Sequence, residues 1–245
     1  METALYRKDI RMRPVKEPLV LKSYYHDNRS KCSFRILASN NVKPTMIVLD
    51  AGCGKRSVIG EEKLKAHKTV GLEASIDDLQ LNSTVDLRVV GNLVNIPFKQ
   101  GIFDLIVCRN VVEHLERPQE VFIEFNRLLK SGGLLMVRTP NKFNPIMFLS
   151  AILPLNVRTW IKKNLFYDTE GDTFPTYYRC NSMGRMNKTL KRCGFQRTST
   201  AYDGLMTYFN FSKILVTTIT IYERITDLRP LNIFKMWLIA SFRKV

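Results

Sequence analysis

Met46-Ile-Val-Leu-Asp-Ala-Gly-Cys-Gly54 joins an apolar run ending in a carboxylate, Asp50, to two glycines one residue apart. An apolar run bounded by glycine reads as a buried strand opening into a turn. Glycines let backbone approach a ligand, and a helix that follows presents unpaired N–H groups, so the stretch reads as a cradle for a nucleotide-bearing molecule. An ordinary strand–turn–helix would read the same way. What narrows the choice is a second apolar run, Lys68-Thr-Val-Gly-Leu-Glu73. It closes on a carboxylate about twenty residues further on, where Glu73 can take both hydroxyls of a ribose.

The rest of the chain repeats the alternation. Strands are expected over 45–50, 69–72, 87–90, 103–108 and 133–139, each short, apolar and bounded by turn or helix signals. Between the last two, Pro118 suits a first helical turn, and Val121, Phe122, Phe125, Leu128 and Leu129 make one apolar stripe with Gly132 near its end. Strand–helix alternation implies an α/β fold, a parallel sheet covered on both faces. A later helix is expected from a cap at Ser182 through Met183, Met186 and Leu190 to Gly194, then a sixth strand over 195–202. Apolar residues at 234, 236, 238, 240 and 242 alternate with their neighbours to 243, which suits a seventh strand.

With 245 residues, 45% of them hydrophobic, the chain can bury one sizeable core. Its five cysteines, Cys32, Cys53, Cys108, Cys180 and Cys193, contain no Cys-x-x-Cys pair, which argues against zinc and against a disulfide framework and for a reducing, cytoplasmic setting. Arg7, Lys8, Arg11 and Arg13 precede no apolar core, so no secretory signal is expected, and the uncharged stretch 143–157 falls short of the roughly 20 residues that span a bilayer. The net charge of +16 is unevenly placed. Residues 44–137 hold 11 Lys and Arg against 12 Asp and Glu, whereas residues 138–245 hold 17 against 6. That asymmetry suits an acidic metabolite, an anionic membrane surface or nucleic acid, or simply keeps a soluble protein dispersed.

Beyond the first turn and Glu73, the words Val90-Gly-Asn-Leu, Ile96-Pro-Phe, Gly101-Ile-Phe-Asp-Leu-Ile-Val-Cys, Val112-Glu-His-Leu, Leu128-Leu-Lys-Ser-Gly-Gly and Arg138-Thr-Pro-Asn follow in order. Over roughly residues 44–141 the chain resembles the class I S-adenosylmethionine-dependent methyltransferases, in their small-molecule, type 11 branch. The resemblance implies a doubly wound, seven-stranded, mainly parallel Rossmann-like sheet, its last strand antiparallel between the fifth and sixth, with a lid insertion after the fifth strand. It further implies S-adenosylmethionine as cofactor: Asp50, Gly52 and Gly54 at its methionine end, Glu73 on its ribose, Asn92 and Leu93 at its adenine, and Arg109 and Asn110 alongside. Two positions depart from the family pattern. Asn92 stands where a carboxylate usually receives the adenine amine, though its carbonyl can accept that bond. Arg56 stands at the third glycine position, where a cation must turn away from the sulfonium or toward the cofactor's carboxylate.

Methyl transfer from a sulfonium asks the protein chiefly for alignment and desolvation. In the loop after the fourth strand, His114 is the candidate base, the alternative being that it caps the following helix and orders the loop; Glu113 reads as structural. The same loop lacks the Asp/Asn-Pro-Pro-aromatic word that resembled enzymes use on exocyclic base nitrogens, which excludes that substrate class. Residues 141–181 are expected to cover the substrate, with Asn141, Tyr177, Tyr178 and Arg179 as contacts. Residues 145–157, flanked by Lys142, Arg158, Lys162 and Lys163, read either as a lid helix or as a segment lying in a membrane interface. An apolar helix over 212–222 suits burial, dimerisation or membrane contact.

The organisation expected is a basic N-terminal cap over 1–43 and a catalytic domain over 44–245. The function expected is O-directed methylation of a partly apolar or anionic small molecule, in the cytoplasm or at the inner membrane surface. An RNA-directed enzyme, favoured by charge alone, and an inactive binding module, favoured by Arg56 alone, are the alternatives. No metal is expected, and oligomeric state is left open.

Overall fold

The computed structural model describes residues 33–57, 59, 65–154, 156, 175–204 and 213–245. Among them lie seven strands: β1 (Ile47–Ala51), β2 (Lys68–Glu73), β3 (Leu87–Val90), β4 (Phe103–Arg109), β5 (Leu129–Pro140), β6 (Phe195–Asp203) and β7 (Trp237–Lys244). Six α-helices accompany them: α1 (Ser33–Asn41), α2 (Ile76–Leu81), α3 (Pro118–Leu128), α4 (Pro145–Ile152), α5 (Met183–Arg192) and α6 (Lys213–Asp227). The strands form one sheet in the order β3-β2-β1-β4-β5-β7-β6. The pairings from β3 through β5 are parallel, and β7 runs antiparallel to both β5 and β6, as expected. Strand order reverses between β1 and β4, the place where sheets of this kind open a crevice.

Period-two alternation divides the sheet between two cores. Leu49, Ala51, Ile106, Cys108, Leu135 and Val137 face one side with Phe122, Phe125 and Leu128 of α3 and Met186 and Leu190 of α5. Val48, Leu105, Val107, Leu134 and Met136 face the other, with Phe34 and Ala38 of α1 and Val42 just beyond it. Strands buried on both faces carry apolar residues almost without interruption, which is why β1 and β4 were legible in sequence. Within the segment expected as an N-terminal helical cap, Phe34, Ala38 and Val42 join this second core, because these positions stack along one helical face. The remainder of the expected cap, residues 1–32, lies outside the described residues.

Most strand boundaries fall within two residues of expectation, and two places differ by more. α3 ends at Leu128, before Gly132, because the chain turns at once into β5 and pairs Leu129 with Phe103. Gly132, at φ +73°, instead accompanies the irregularity that shifts register before Leu134. β7 begins at Trp237, residues 231–234 forming a 3₁₀ turn, and is buried continuously from 237 to 242. Apolar residues occupy both sides of its pleat, since β7 is an interior strand with Leu238, Ala240 and Phe242 in one core and Ile239 in the other. Of the expected insertion over 141–181, α4 and residues 175–181 are described, while 155 and 157–174 lie outside. The apolar helix expected over 212–222 is α6, which continues to Asp227. Among the described residues no helix is long and apolar enough to cross a membrane.

Candidate functional site

Beyond the carboxyl ends of β1, β2 and β4 lies a cavity of about 560 Å3, within the range of small-molecule sites. One wall is the turn after β1. Gly52 and Gly54 have φ of +75° and +51°, a conformation cheap only for glycine. At Gly52 there is also no room: a Cβ would stand 2.4 Å from Val111 Cγ2. At Gly54 a Cβ would meet nothing within 4 Å, so that position opens on space.

The turn is held from below by backbone and side-chain hydrogen bonds. The N–H groups of Gly52 and Cys53 donate to Leu72 O at 2.9 and 3.1 Å. The fully buried Asn82 amide donates to Gly54 O at 2.8 Å and to Cys53 O at 3.4 Å. Asp50 is fully buried and accepts from Ser57 Oγ at 2.7 Å, which places its carboxylate behind the turn and outside the cavity wall. Burial pushes the Cys53 thiol up to about 12, so this residue of the turn supplies no thiolate nucleophile.

Glu73 joins the ends of β1 and β2. Its Oε2 accepts from Gly54 N at 2.9 Å, and its Oε1 accepts from Ala74 N at 2.8 Å and Ser75 N at 3.3 Å. Half-buried in the cavity wall and preset by backbone donors, it retains lone-pair capacity for a diol. Truncation removes both a charged acceptor and the anchor of the turn. Glu73→Ala is expected to weaken S-adenosylmethionine binding about 30- to 100-fold, equivalent to ~2–3 kcal/mol, which calorimetric titration would read; unchanged affinity would refute the assignment. Asn92 and Leu93 line the wall past β3. Asn92 Oδ1 already accepts from Val94 N at 3.1 Å, which leaves its second lone pair for a ligand amine. Arg56 is exposed and outside the wall.

The opposite wall is the loop after β4, with Asn110, Val111, His114 and Leu115. Asn110 sits at φ +56°, its N–H donating to Arg138 O at 2.8 Å, while the Arg138 guanidinium stacks 3.7 Å from the Trp237 ring centroid. Arg109 pairs with Arg138 within the sheet and stays out of the wall. Residues 112–114 form a 3₁₀ turn. His114 does not cap α3, whose cap position is Arg117; its Nδ1 lies 2.9 Å from Pro175 O. A carbonyl can only accept, so Nδ1 carries the proton, and in the neutral ring Nε2 is the basic nitrogen.

The same turn binds the segment leading to α5. Glu113 O accepts from Tyr177 N at 2.8 Å and Tyr178 N at 3.2 Å, with Tyr178 at φ +49°. The Glu113 side chain is buried and accepts from Thr139 Oγ1 at 2.9 Å, while Thr139 Oγ1 accepts from Asn181 Nδ2 at 2.7 Å. Tyr177, Tyr178 and Arg179 are thus held beside the cavity without lining it, and the Arg179 guanidinium lies 5.6 Å from the Tyr177 ring centroid. Asn141 is placed differently from the expected substrate contact. It is buried, its amide donates to Ile233 O at 2.7 Å and Lys235 O at 2.9 Å, and its Oδ1 accepts from Phe143 N at 3.2 Å. That set of bonds ties the end of β5 to the turn before β7.

Burial holds the Glu113 carboxyl above its ordinary value of 4.5. The native state therefore loses stability as pH rises from that value through the raised one, whereas glutamine does not titrate and can still accept from Thr139. Glu113→Gln is expected to melt above the wild type near ~pH 8, with the gap closing below about pH 4. A gap independent of pH would overturn this account. Val111, Asn82, Ser57 and Pro175 were not foreseen, since each acts through a contact distant in sequence that no spacing announces.

The chain matches the model of the methyltransferase domain family over residues 23–199. A probable S-adenosylmethionine-dependent methyltransferase of Mycolicibacterium smegmatis is 34% identical over 104 residues, 40% of this chain and 40% of that protein. A ubiquinone biosynthesis O-methyltransferase of Marinobacter nauticus is 30% identical over 115 residues, 43% of this chain and 48% of its own length. The chain therefore spans less than half the length of these relatives. An S-adenosylmethionine-dependent methyltransferase structure from Mesorhizobium loti has a TM-score of 0.58 and 16% identity, covering 86% of this chain and 96% of that one, a likeness of fold.

Proposed function

The chain belongs to the methyltransferase domain family, and we propose from this that it moves a methyl group from S-adenosylmethionine to an oxygen of a small, partly apolar acceptor. The observation that carries the reading is the meeting, in one cavity, of the glycine turn, the preset Glu73 carboxylate and a histidine whose Nδ1 is engaged by Pro175. These residues fit the cofactor. Gly52 and Gly54 offer close backbone at its methionine end with Asp50 beneath them, Glu73 suits its ribose, Asn92 and Leu93 its adenine, and Asn110 the neighbouring backbone. When bound, S-adenosylmethionine supplies an electrophilic methyl on a sulfonium with a neutral leaving group.

The chain's own part is to align the acceptor, exclude water and take a proton. His114 Nε2 is the acceptor for a hydroxyl proton, while the Nδ1 bond to Pro175 holds the ring in place. Tyr177, Tyr178 and Arg179, brought next to His114 through Glu113 O, supply an aromatic flank and a cationic fork for an acceptor that is apolar in part and anionic in part. Oxygen is favoured because a relative of similar sequence is named an O-methyltransferase. Calorimetric titration with S-adenosylmethionine and its demethylated product, followed by labelled methyl transfer to phenolic and quinol acceptors, tests the reading. Affinity in the range of about 1–100 µM with oxygen-linked label is expected. Failure to bind either compound would overturn it and leave a fold kept for binding a partner.

A further inference from the structure

α6 exposes large apolar side chains next to buried polar ones. Its buried side carries Glu223 and Thr226, while Ile221 and Ile225, followed by Leu228, point outward at 55%, 49% and 62% exposure. Spacings of four and three put these three in one stripe. Two further elements flank it. The Asn144 amide at the start of α4 donates to Tyr222 Oη at 3.3 Å and Phe234 O at 2.9 Å, and Tyr222 Oη donates to Phe234 O at 2.6 Å. α4, α6 and the 231–234 turn are thereby joined, and Phe143, Phe148, Ile233 and Phe234 on or beside these elements are exposed too.

Of the two carboxylates on α6, Glu223 is buried and Asp227 is 60% exposed, and both are paired. Glu223 and Asp227 both engage Lys235 Nζ, at 2.9 and 2.8 Å, and Lys235 itself is buried. The cations Lys142, Arg224 and Arg229 face outward. We infer that this surface is a docking face for an anionic lipid bilayer, with the isoleucine stripe and phenylalanines entering the interface and Lys142, Arg224 and Arg229 at the headgroups. Apolar residues in one stripe with a cationic fringe have the chemistry of an interfacial helix. A second copy is the poorer occupant, since a two-fold contact would set those cations against themselves. With no described helix able to cross a bilayer, the contact lies in the surface plane. The inference goes beyond methyl transfer and does not depend on it.

Sedimentation of the full chain with vesicles tests the proposal, comparing phosphatidylcholine alone with phosphatidylcholine mixed with phosphatidylglycerol. The wild type is expected to partition about tenfold or more better onto the mixed vesicles at low salt, and to lose that preference as salt rises. Ile221→Ser, Ile225→Ser and Leu228→Ser together should lower partitioning about tenfold or more. Their melting temperature and S-adenosylmethionine affinity should be kept, because all three side chains are exposed. Lys142→Gln with Arg224→Gln, which leaves every apolar side chain of the face in place, should remove most of the salt dependence. Three results would overturn the proposal: a wild type that ignores anionic vesicles, variants that partition like it, or a wild-type dimer that the serine variant turns monomeric with vesicle binding intact. Because vesicle binding is read without any acceptor, failure of methyl transfer would leave this result standing.

Discussion

Gly52→Val is expected to abolish measurable cofactor binding, raising the dissociation constant at least about 100-fold, and to cost ~2–4 kcal/mol of stability. Two independent effects add. The backbone at φ +75° is costly for any residue with a Cβ and worst for a β-branched one. The new Cβ would also stand 2.4 Å from Val111 Cγ2, a short β-branched side chain with little freedom at χ1. The turn must then move, and with it the bonds from Gly52 and Cys53 to Leu72 O and the Gly54 bond to Glu73. Pairing Gly52→Ala with Val111→Ala separates the causes, since it relieves the clash and leaves the strain. Partial recovery of affinity in that double variant, against little in Gly52→Ala alone, is the expected result. Near wild-type titration of Gly52→Val would show that this turn does not form the cofactor's wall.

His114→Ala is expected to lower kcat about 10²- to 10⁴-fold with S-adenosylmethionine affinity changed only a few-fold, the range for loss of a general base. The bond from Nδ1 to Pro175 O raises the rival role of a strut that orders the segment before Tyr177. His114→Asn distinguishes them. Asparagine can donate to a carbonyl but cannot serve as the base, so a strut would be restored and catalysis would not. The Asn variant should therefore remain as slow as the Ala variant, and added imidazole should recover part of the rate in the latter alone. Wild-type turnover in the Asn variant would reduce His114 to a positioning residue.

Most of the sheet could be read before the structure because its strands are buried on both faces. The run at 46–51 and that at 103–108 carry apolar side chains on both sides of the pleat, so composition alone marked them. α3 was equally plain, its stripe of Val121, Phe122, Phe125 and Leu128 matching the helical period. Its end was not, because Gly132 looked like a stop, whereas the pairing of Leu129 with Phe103 draws the chain into β5 earlier. β7 misled in another way. The strand is expected from about residue 234, but residues 231–234 form a 3₁₀ turn and pairing with β5 and β6 begins at Trp237.

Sequence alone determined the order of elements, the glycine turn and the carboxylate at the end of β2, because each depends on residue type at a local position: glycine where φ is positive, an apolar run where both faces are buried, an acid where a strand stops. Only the tertiary structure decided what holds those parts in place. Val111 excludes any side chain at Gly52, Asn82 ties down the turn from 28 residues away, and Pro175 engages a histidine 61 residues before it. It also withdrew Asn141 from the substrate, by committing its amide to carbonyls more than 90 residues further on, and left Ile221 and Ile225 of α6 outward while Glu223 turns in toward Lys235. These are contacts between distant segments, and a chain acquires them only on packing, when a buried polar group must find whichever partner the fold has brought within reach.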